Sequence, residues 1–103
     1  MINYSLQKQL PEITGILSRH YISRAYIFGS ACTDHFNEKS DVDFLISFRE
    51  GLDPVEQGEQ WWNLLFELED YLHHDVDLLT ENSLRNPYLI ESINKQKQLI
   101  YAT

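Results

Sequence analysis

The most constraining feature of this 103-residue sequence is a continuous apolar segment that is introduced by two aspartates. Residues 41–48 read Asp-Val-Asp-Phe-Leu-Ile-Ser-Phe, and the centre of the segment carries no polar side chain. Strands of this kind are covered on both faces, because a strand with one solvated face alternates apolar and polar residues. The chain therefore has to bury this strand between other layers of the fold.

Apolar periodicity predicts the elements around that strand. Helical spacing predicts a helix over 5–20, which we expect Pro11 to break or restart. Further strands are predicted over 23–28, 75–80 and 98–102, and a short helix over 87–96. The loop 31–40 is expected to open with a helical turn. This order predicts an α/β (α+β) fold with a small mixed sheet of about four strands.

A long amphipathic helix is predicted to begin at Asp53-Pro54 and to end near His73 and His74, because Asp is a good helix cap and Pro suits a first turn. Its apolar face is assigned to the following residues: Val55, Gly58, Trp61, Trp62, Leu65, Leu68 and Leu72. Both tryptophans cannot face one core, so one of them is expected at a partner surface.

Length and charge limit the class of protein. The length predicts one domain over residues 1–103. No apolar run reaches the ~18 residues of a membrane span, no secretory signal is visible, and the single Cys32 cannot form an internal disulfide, so we expect a cytoplasmic protein. The net charge of −8 repels phosphate backbones and disfavours nucleic acid as a partner. Such a charge either serves solubility or gathers some acids in a site.

Two pairs of aspartates are candidates for that site. Asp41 and Asp43 are two residues apart on a strand, so both side chains point to the same face. Two carboxylates this close repel each other, and a shared divalent cation with a preference for oxygen, Mg²⁺ or Mn²⁺, removes the conflict. Asp75 and Asp77 repeat the pattern on the next predicted strand, and either could complete a cluster of three carboxylates.

A Gly-Ser turn is the candidate anion site. Gly29 and Ser30 end the first predicted strand. A glycine lets backbone N–H groups approach a phosphate closely, a serine adds a hydroxyl donor, and a helical turn after them would direct its N-terminus at the anion. The sequence thus predicts a site with polyphosphate at one end and a metal at the other.

The spacing of these motifs points to a family. Gly29-Ser30 is followed after ten residues by Asp41-x-Asp43, an arrangement that chance produces in only about one such chain in a thousand. It resembles the signature of the polymerase-β-like nucleotidyltransferases. The short chain and the late Val76-Asp77-Leu78-Leu79 segment resemble the minimal (MNT) branch of that superfamily. The resemblance covers about residue 12 to the end and implies a mixed sheet with helices packed mainly on one face.

The resemblance implies a chemistry and a set of roles. The activity would be transfer of a nucleoside monophosphate, AMP from ATP, to a hydroxyl group with two Mg²⁺ ions, Mn²⁺ being the other candidate. Asp41, Asp43 and Asp77 would be the catalytic and metal-binding residues, Asp77 matching the third carboxylate better than Asp75. The residues that bind the nucleotide phosphates would be Gly29, Ser30 and Ser40.

The resemblance also implies a partner. Small members of this branch act as antitoxins and adenylylate a tyrosine of a HEPN-type toxin, without a nucleic-acid template. The acidic charge would suit a basic partner. In the sequence, Thr33 and Asp34 replace the basic residue and the glycine that many members carry after the Gly-Ser turn. This departure favours one alternative, a module that neutralises its partner by contact alone. Transfer to a small molecule is another alternative.

Several other polar residues are expected to be structural. Asp75 is interpreted as a solvated strand edge, and His73 and His74 as caps of the long helix. Cys32 is interpreted as a small packed residue. His35 and Lys39 are interpreted as a loop histidine and a surface lysine, although either could reach the nucleotide.

Overall fold

The fold is organised around a mixed four-stranded sheet. A computed structural model describes all 103 residues. The strands are β1 (Ile22–Phe28), β2 (Val42–Phe48), β3 (Val76–Thr80) and β4 (Gln98–Ala102), and their order in the sheet is β3-β2-β1-β4. β1 runs antiparallel to β2 and β4, whereas β2 and β3 are parallel. The predicted fold class is confirmed.

Three helices and two short 3₁₀ turns connect the strands. The helices are α1 (Tyr4–Arg19), α2 (Pro54–Leu72) and α3 (Pro87–Gln96), and the turns cover Gly29–Cys32 and Glu81–Ser83. Each helix has a polar cap at its start, because the side chains of Asn3, Asp53 and Asn86 accept hydrogen bonds from backbone N–H groups of the first turn. None of the three helices combines the length and the hydropathy of a transmembrane helix.

The helices cover the two faces of the sheet unequally. The larger cluster of buried side chains joins α1 and α2 to one face and includes the fully buried Phe44 and Ile46 of β2. The smaller cluster joins Ile93 of α3 to Phe28 and Leu45 on the other face. β2 is thus apolar on both faces, and the expectation that helices pack mainly on one face is confirmed.

The prediction that Pro11 breaks or restarts the first helix is wrong. Pro11 lies inside α1, which runs without interruption from Tyr4 to Arg19. Proline removes one helical hydrogen bond. Burial of Leu6 before it and of Ile13 and Ile16 after it, all on the core side of one continuous helix, offsets that loss.

The predicted apolar face of α2 is correct in part. Leu68 and Leu72 are buried, but the third fully buried residue is Leu64, which the prediction did not include. Val55, Gly58 and Trp62 are exposed instead. The buried positions repeat every four residues, and that narrow stripe leaves the other apolar side chains outside the core.

The adjacent tryptophans of α2 separate as the sequence analysis expected. Trp61 is half-buried against the core, and its indole N–H donates a hydrogen bond of 3.1 Å to the carbonyl of Leu78. Trp62 is 54% exposed. One tryptophan therefore fixes α2 to β3, whereas the other is left on the surface.

Candidate active site

The parallel pairing of β2 with β3 places two carboxylates side by side. In the register of these strands, Asp43 is the partner of Asp77 and Val42 is the partner of Val76. Paired residues of neighbouring strands have their side chains on the same face, about 5 Å apart. Asp43 and Asp77 therefore meet on the face of the sheet that α3 covers, at the end where both strands begin.

Asp41 adds a third negative charge to this pair. It directly precedes β2, and strand alternation turns its side chain toward the same face as that of Asp43. Burial, then the charge of Asp77, then that of Asp41 raise the pKa of Asp43 to about 6. Asp43 is half-buried while Asp41 and Asp77 are exposed, so the cluster is open to solvent on one side.

Gly29 lies directly against the Asp43 carboxylate. Phe28, the last residue of β1, pairs with Asp43, and Gly29 follows with a φ of +74°. A Cβ atom at position 29 would overlap Oδ2 of Asp43 and lie 3.2 Å from its Cγ. The Gly-Ser turn and the carboxylates thus belong to one site, and their close approach requires glycine.

Ser30 and Ser40 flank the carboxylates from two loops. The Ser30 hydroxyl donates to the Asp41 carbonyl over 3.4 Å, a long distance for a hydroxyl donor. The Ser40 hydroxyl accepts the N–H of Asn37 at 3.0 Å, which leaves its own proton free to donate elsewhere. A helical turn follows the first strand as predicted, but it is a 3₁₀ turn that begins at Gly29 and contains Ser30, not one that starts at residue 31.

Two hydrogen bonds at the site come from residues that are distant in sequence. The Gly29 N–H donates to Oε1 of Gln96, at the end of α3, over 3.2 Å. Nδ1 of His74 donates to the Ser40 carbonyl at 2.7 Å, and its ring packs against Phe36 with centroids 5.0 Å apart. Gln96 was not predicted as a site residue, and no local pattern marks it, because 67 residues separate it from Gly29.

The two histidines at the end of α2 differ in role. His73 is the helix cap, with a φ of +58° and its N–H donated to the Glu69 carbonyl. The interpretation of His74 as a second cap is wrong. Its side chain supports the loop before Asp41 because the left-handed turn at His73 redirects the chain toward that loop.

The remaining candidates lie around the site. Asp75 is exposed and lines an open polar cavity of about 470 Å³, and its charge is not among those that raise the pKa of Asp43. Cys32 is half-buried, its thiol lies 3.5 Å from the Ile27 carbonyl, and burial raises its pKa, as expected of a packed residue. His35 and Lys39 are both exposed on the loop before β2.

The carboxylates supply donors for a hard cation without forming a complete cage. No group of three or more His, Cys, Asp and Glu side chains converges closely enough to enclose a metal ion. Mg²⁺ does not require such a cage, because it keeps several waters and uses one or two carboxylates together with substrate phosphates. Adjacent Asp43 and Asp77, with Asp41 beside them, fit that mode of binding.

Comparison with known proteins gives the site a context. Residues 11–103 match the family model described as polymerase beta, nucleotidyltransferase. A relative in Methanocaldococcus jannaschii, named "Putative protein adenylyltransferase MJ0128", is 35% identical, and the match covers 91% of this chain and 98% of the relative.

Solved structures show the same fold. A chain of a toxin–antitoxin structure with AMP-PNP superimposes with a TM-score of 0.72 at 24% identity, covering 91% of this chain and 73% of that one. A chain of the complex between tri-AMPylated Shewanella oneidensis HEPN toxin and MNT antitoxin gives a TM-score of 0.66 at 23% identity, covering 94% and 72%.

Proposed function

Because this chain belongs to the polymerase beta nucleotidyltransferase family, we propose that it transfers AMP from ATP to a hydroxyl group of a protein. The chain is a nucleotidyltransferase, and the nucleotide and the acceptor are the proposal. One observation carries it: the register that places Asp43 opposite Asp77, with the Gly29 peptide packed against the Asp43 carboxylate. This juxtaposition holds acidic oxygens next to a turn suited to phosphate.

Asp41, Asp43 and Asp77 would hold Mg²⁺ in this reaction. Two Mg²⁺ ions bound there would supply the positive charge that stabilises a leaving pyrophosphate and lowers the pKa of an acceptor hydroxyl. The protein contributes the fixed position of its oxygens. Asp43 is half-buried and set by β2, and Asp77 is held beside it by β3, so little reorganisation is needed when the substrate binds.

The different solvent exposure of the aspartates indicates different roles in the reaction. Asp77 is exposed and can accept a proton from an incoming hydroxyl, whereas Asp43, half-buried against the Gly29 turn, is suited to ligation. The acceptor oxygen would then attack the α-phosphorus, forming the new P–O bond as the bond to pyrophosphate breaks. The proton would leave through Asp77.

The phosphate chain of ATP would lie along the two serines and Gly29. The Ser30 hydroxyl is held only by a long contact to the Asp41 carbonyl, so it can turn toward a phosphate oxygen. The Ser40 hydroxyl has its proton free, because it accepts from Asn37. Both hydroxyls would donate to the phosphate oxygens.

The acceptor we propose is a tyrosine of a HEPN-type toxin, with this chain as its antitoxin. Two matched structures are toxin–antitoxin complexes, one with AMP-PNP and one in which the HEPN toxin is AMPylated, and the M. jannaschii relative is named as a protein adenylyltransferase. The net charge of −8 suits a basic protein partner and opposes a nucleic-acid one.

A labelling experiment tests the function. The chain is co-expressed with a HEPN-type toxin, purified, and incubated with α-labelled ATP and Mg²⁺, and the toxin is analysed by mass spectrometry. We expect AMP on a toxin tyrosine with wild type, none with Asp43→Asn, and near-normal labelling with the matched control Asp75→Asn. An unlabelled toxin that is still bound and inhibited would support neutralisation by contact alone and overturn the transfer proposal.

A further inference from the structure

The outward side of α2 carries a row of three apolar and two acidic side chains that is not buried in the core. This row, here called the outer stripe, consists of Val55, Glu59, Trp62, Phe66 and Asp70, which recur at intervals of three and four residues. Such residues share one side of a helix. The buried residues Leu64, Leu68 and Leu72 lie on the opposite side of the helix, so the outer stripe is separate from the core.

The outer stripe exposes large side chains in a fixed arrangement. Val55, Trp62 and Phe66 are 72%, 54% and 58% exposed. The rings of Trp62 and Phe66 stack with centroids 5.6 Å apart, and Trp61 meets the Trp62 ring edge-on at 4.9 Å. Isolated exposed apolar residues are ordinary, but a pre-ordered pair of aromatic rings is typical of the centre of an interface.

The acidic side chains of α2 make no ion pairs except that of Glu67, which pairs with Arg19 and His20 at the end of α1. α2 contains five acidic residues and no Lys or Arg (Glu56, Glu59, Glu67, Glu69 and Asp70). Glu59 and Asp70 lie on the outer stripe itself, at either end of the aromatic pair. A partner that buries the rings must bring these carboxylates against its own surface, and Lys or Arg there would compensate them.

The same charges disfavour binding of a second copy of this chain, of RNA or of an anionic membrane to the outer stripe. In a second copy paired antiparallel through Trp62 and Phe66, the carboxylates of Glu59 and Asp70 would meet across the two-fold axis and repel each other. RNA and anionic membranes would be repelled in the same way. The surface is therefore suited to a basic protein.

The C-terminal end of α2 lies near the candidate active site. α2 spans about 28 Å at 1.5 Å per residue, and its C-terminal end passes through His73 to His74. His74 donates to the carbonyl of Ser40, the residue before Asp41. The stripe faces away from the sheet and the carboxylates lie on the face that α3 covers, so a protein that reaches both must pass around the edge strand β3.

We propose that the outer stripe of α2 docks the acceptor protein, through apolar side chains of that protein bordered by Lys and Arg. This inference rests on the proposed function only for the identity of the occupant as the acceptor. The stripe binds one part of the acceptor, and another part of the acceptor reaches the carboxylates around the β3 edge of the sheet.

The first test uses peptide probes of defined chemistry. The probes are an 18-residue amphipathic helix of Leu and Lys and a matched helix of Leu and Glu, and binding is followed by tryptophan fluorescence and calorimetry. We expect the wild type to bind only the Leu/Lys helix. The double variant Trp62→Ser with Phe66→Ser should lose at least about 30-fold in affinity. Tyr88→Ser, which removes an aromatic residue that is 83% exposed on α3, is the control and should bind as wild type does.

The acidic rim is tested with a charge-matched pair of variants. Glu59→Lys with Asp70→Lys should weaken the Leu/Lys helix about tenfold, whereas Glu12→Lys with Glu91→Lys, the same charge change elsewhere, should not. Equal affinity of the stripe and control variants, or equal binding of the Leu/Glu helix, would overturn the proposal. So would a wild-type dimer that becomes monomeric when Trp62 and Phe66 are replaced.

A transfer assay separates this inference from the proposed function. In the labelling of a HEPN-type toxin, the Trp62/Phe66 variant should bind a fluorescent ATP analogue normally but modify the toxin poorly. If this variant modifies the toxin as well as wild type, the docking surface is wrong and the transfer function stands. If wild type transfers nothing while the stripe still binds the Leu/Lys helix, the transfer function is wrong and the basic-protein surface stands.

Discussion

The Asp43 carboxylate fills the space that a side chain at position 29 would need. The backbone of Gly29 has a φ of +74°, and a side chain there would overlap Oδ2 of Asp43. The glycine thus does two things: it permits the left-handed conformation, and it leaves space for the carboxylate next to the turn. The geometry of the proposed phosphate turn and that of the proposed metal ligands cannot be changed separately.

We expect Gly29→Ala to lower the free energy of unfolding by about 2–4 kcal/mol, because a strained backbone is added to a displaced carboxylate. Nucleotidyl transfer should be lost. Gly51→Ala is the matched control: Gly51 also has a positive φ, of +96°, but nothing lies within 4 Å of the added Cβ. It should cost about 1 kcal/mol and retain activity. Urea denaturation and the labelling assay measure both effects, and full activity in Gly29→Ala would contradict the assignment.

Gly58→Ala, in contrast to Gly29→Ala, should stabilise the protein. Gly58 is an exposed residue away from the ends of α2, and an added Cβ would meet no atom within 4 Å. Alanine is a better helix former than glycine by about 1 kcal/mol, so the variant should be more stable by about that amount with unchanged activity. Thermal unfolding followed by circular dichroism measures the change. A loss of stability would mean that Gly58 has a packing role.

Features that depend on neighbouring residues could be predicted from the sequence. Helix α3 and strand β4 have the predicted bounds, 87–96 and 98–102, because Asn86-Pro87 starts the helix and the apolar run defines the strand. The shared face of Asp41 and Asp43 follows from strand alternation alone. The resemblance carried by the Gly-Ser and Asp-x-Asp motifs is confirmed by the family match over residues 11–103.

Features that depend on strand register or on distant contacts could not be predicted. Strand spacing alone does not distinguish Asp75 from Asp77; the family resemblance favoured Asp77, and the parallel pairing of β2 with β3 places Asp77 beside Asp43. The hydrogen bond from Gly29 to Gln96 likewise depends on where α3 packs. The predicted apolar face of α2 wrongly includes Val55 and Gly58 and omits Leu64, because apolar periodicity alone does not tell a surface stripe from a buried one.

The adjacent tryptophans should differ in their effect on stability. Trp61→Ala removes a half-buried indole and its hydrogen bond to the Leu78 carbonyl, and should cost about 3 kcal/mol. Trp62→Ala removes only exposed stacking with Phe66 and should cost about 1 kcal/mol or less. Chemical denaturation of the two variants measures the difference. Equal losses would mean that Trp62 belongs to the core and would remove the basis for a docking role.

The charge on Asp43 should make the metal-free protein less stable near neutral pH. Burial and the neighbouring carboxylates raise the pKa of Asp43 to about 6, above its ordinary value of 3.8. The folded state therefore holds this proton more tightly than the unfolded state does. The resulting stabilisation is full below pH 3.8 and is lost as the pH rises to about 6, above which the carboxylate is ionised in both states.

Asp43→Asn removes that ionisation, so it should raise the stability of the metal-free protein, whereas most substitutions lower stability. In EDTA at pH 7 we expect the variant to be more stable than wild type by about 1 kcal/mol, a value reduced for solvent screening of a half-buried group, or about 5 °C in Tm. The difference should shrink toward zero as the pH falls to 4. Mg²⁺ should raise the Tm of wild type but not that of the variant, because the ion binds only the folded site. Asp75→Asn should show neither effect, and a Tm response to Mg²⁺ that survives in Asp43→Asn would place the metal elsewhere.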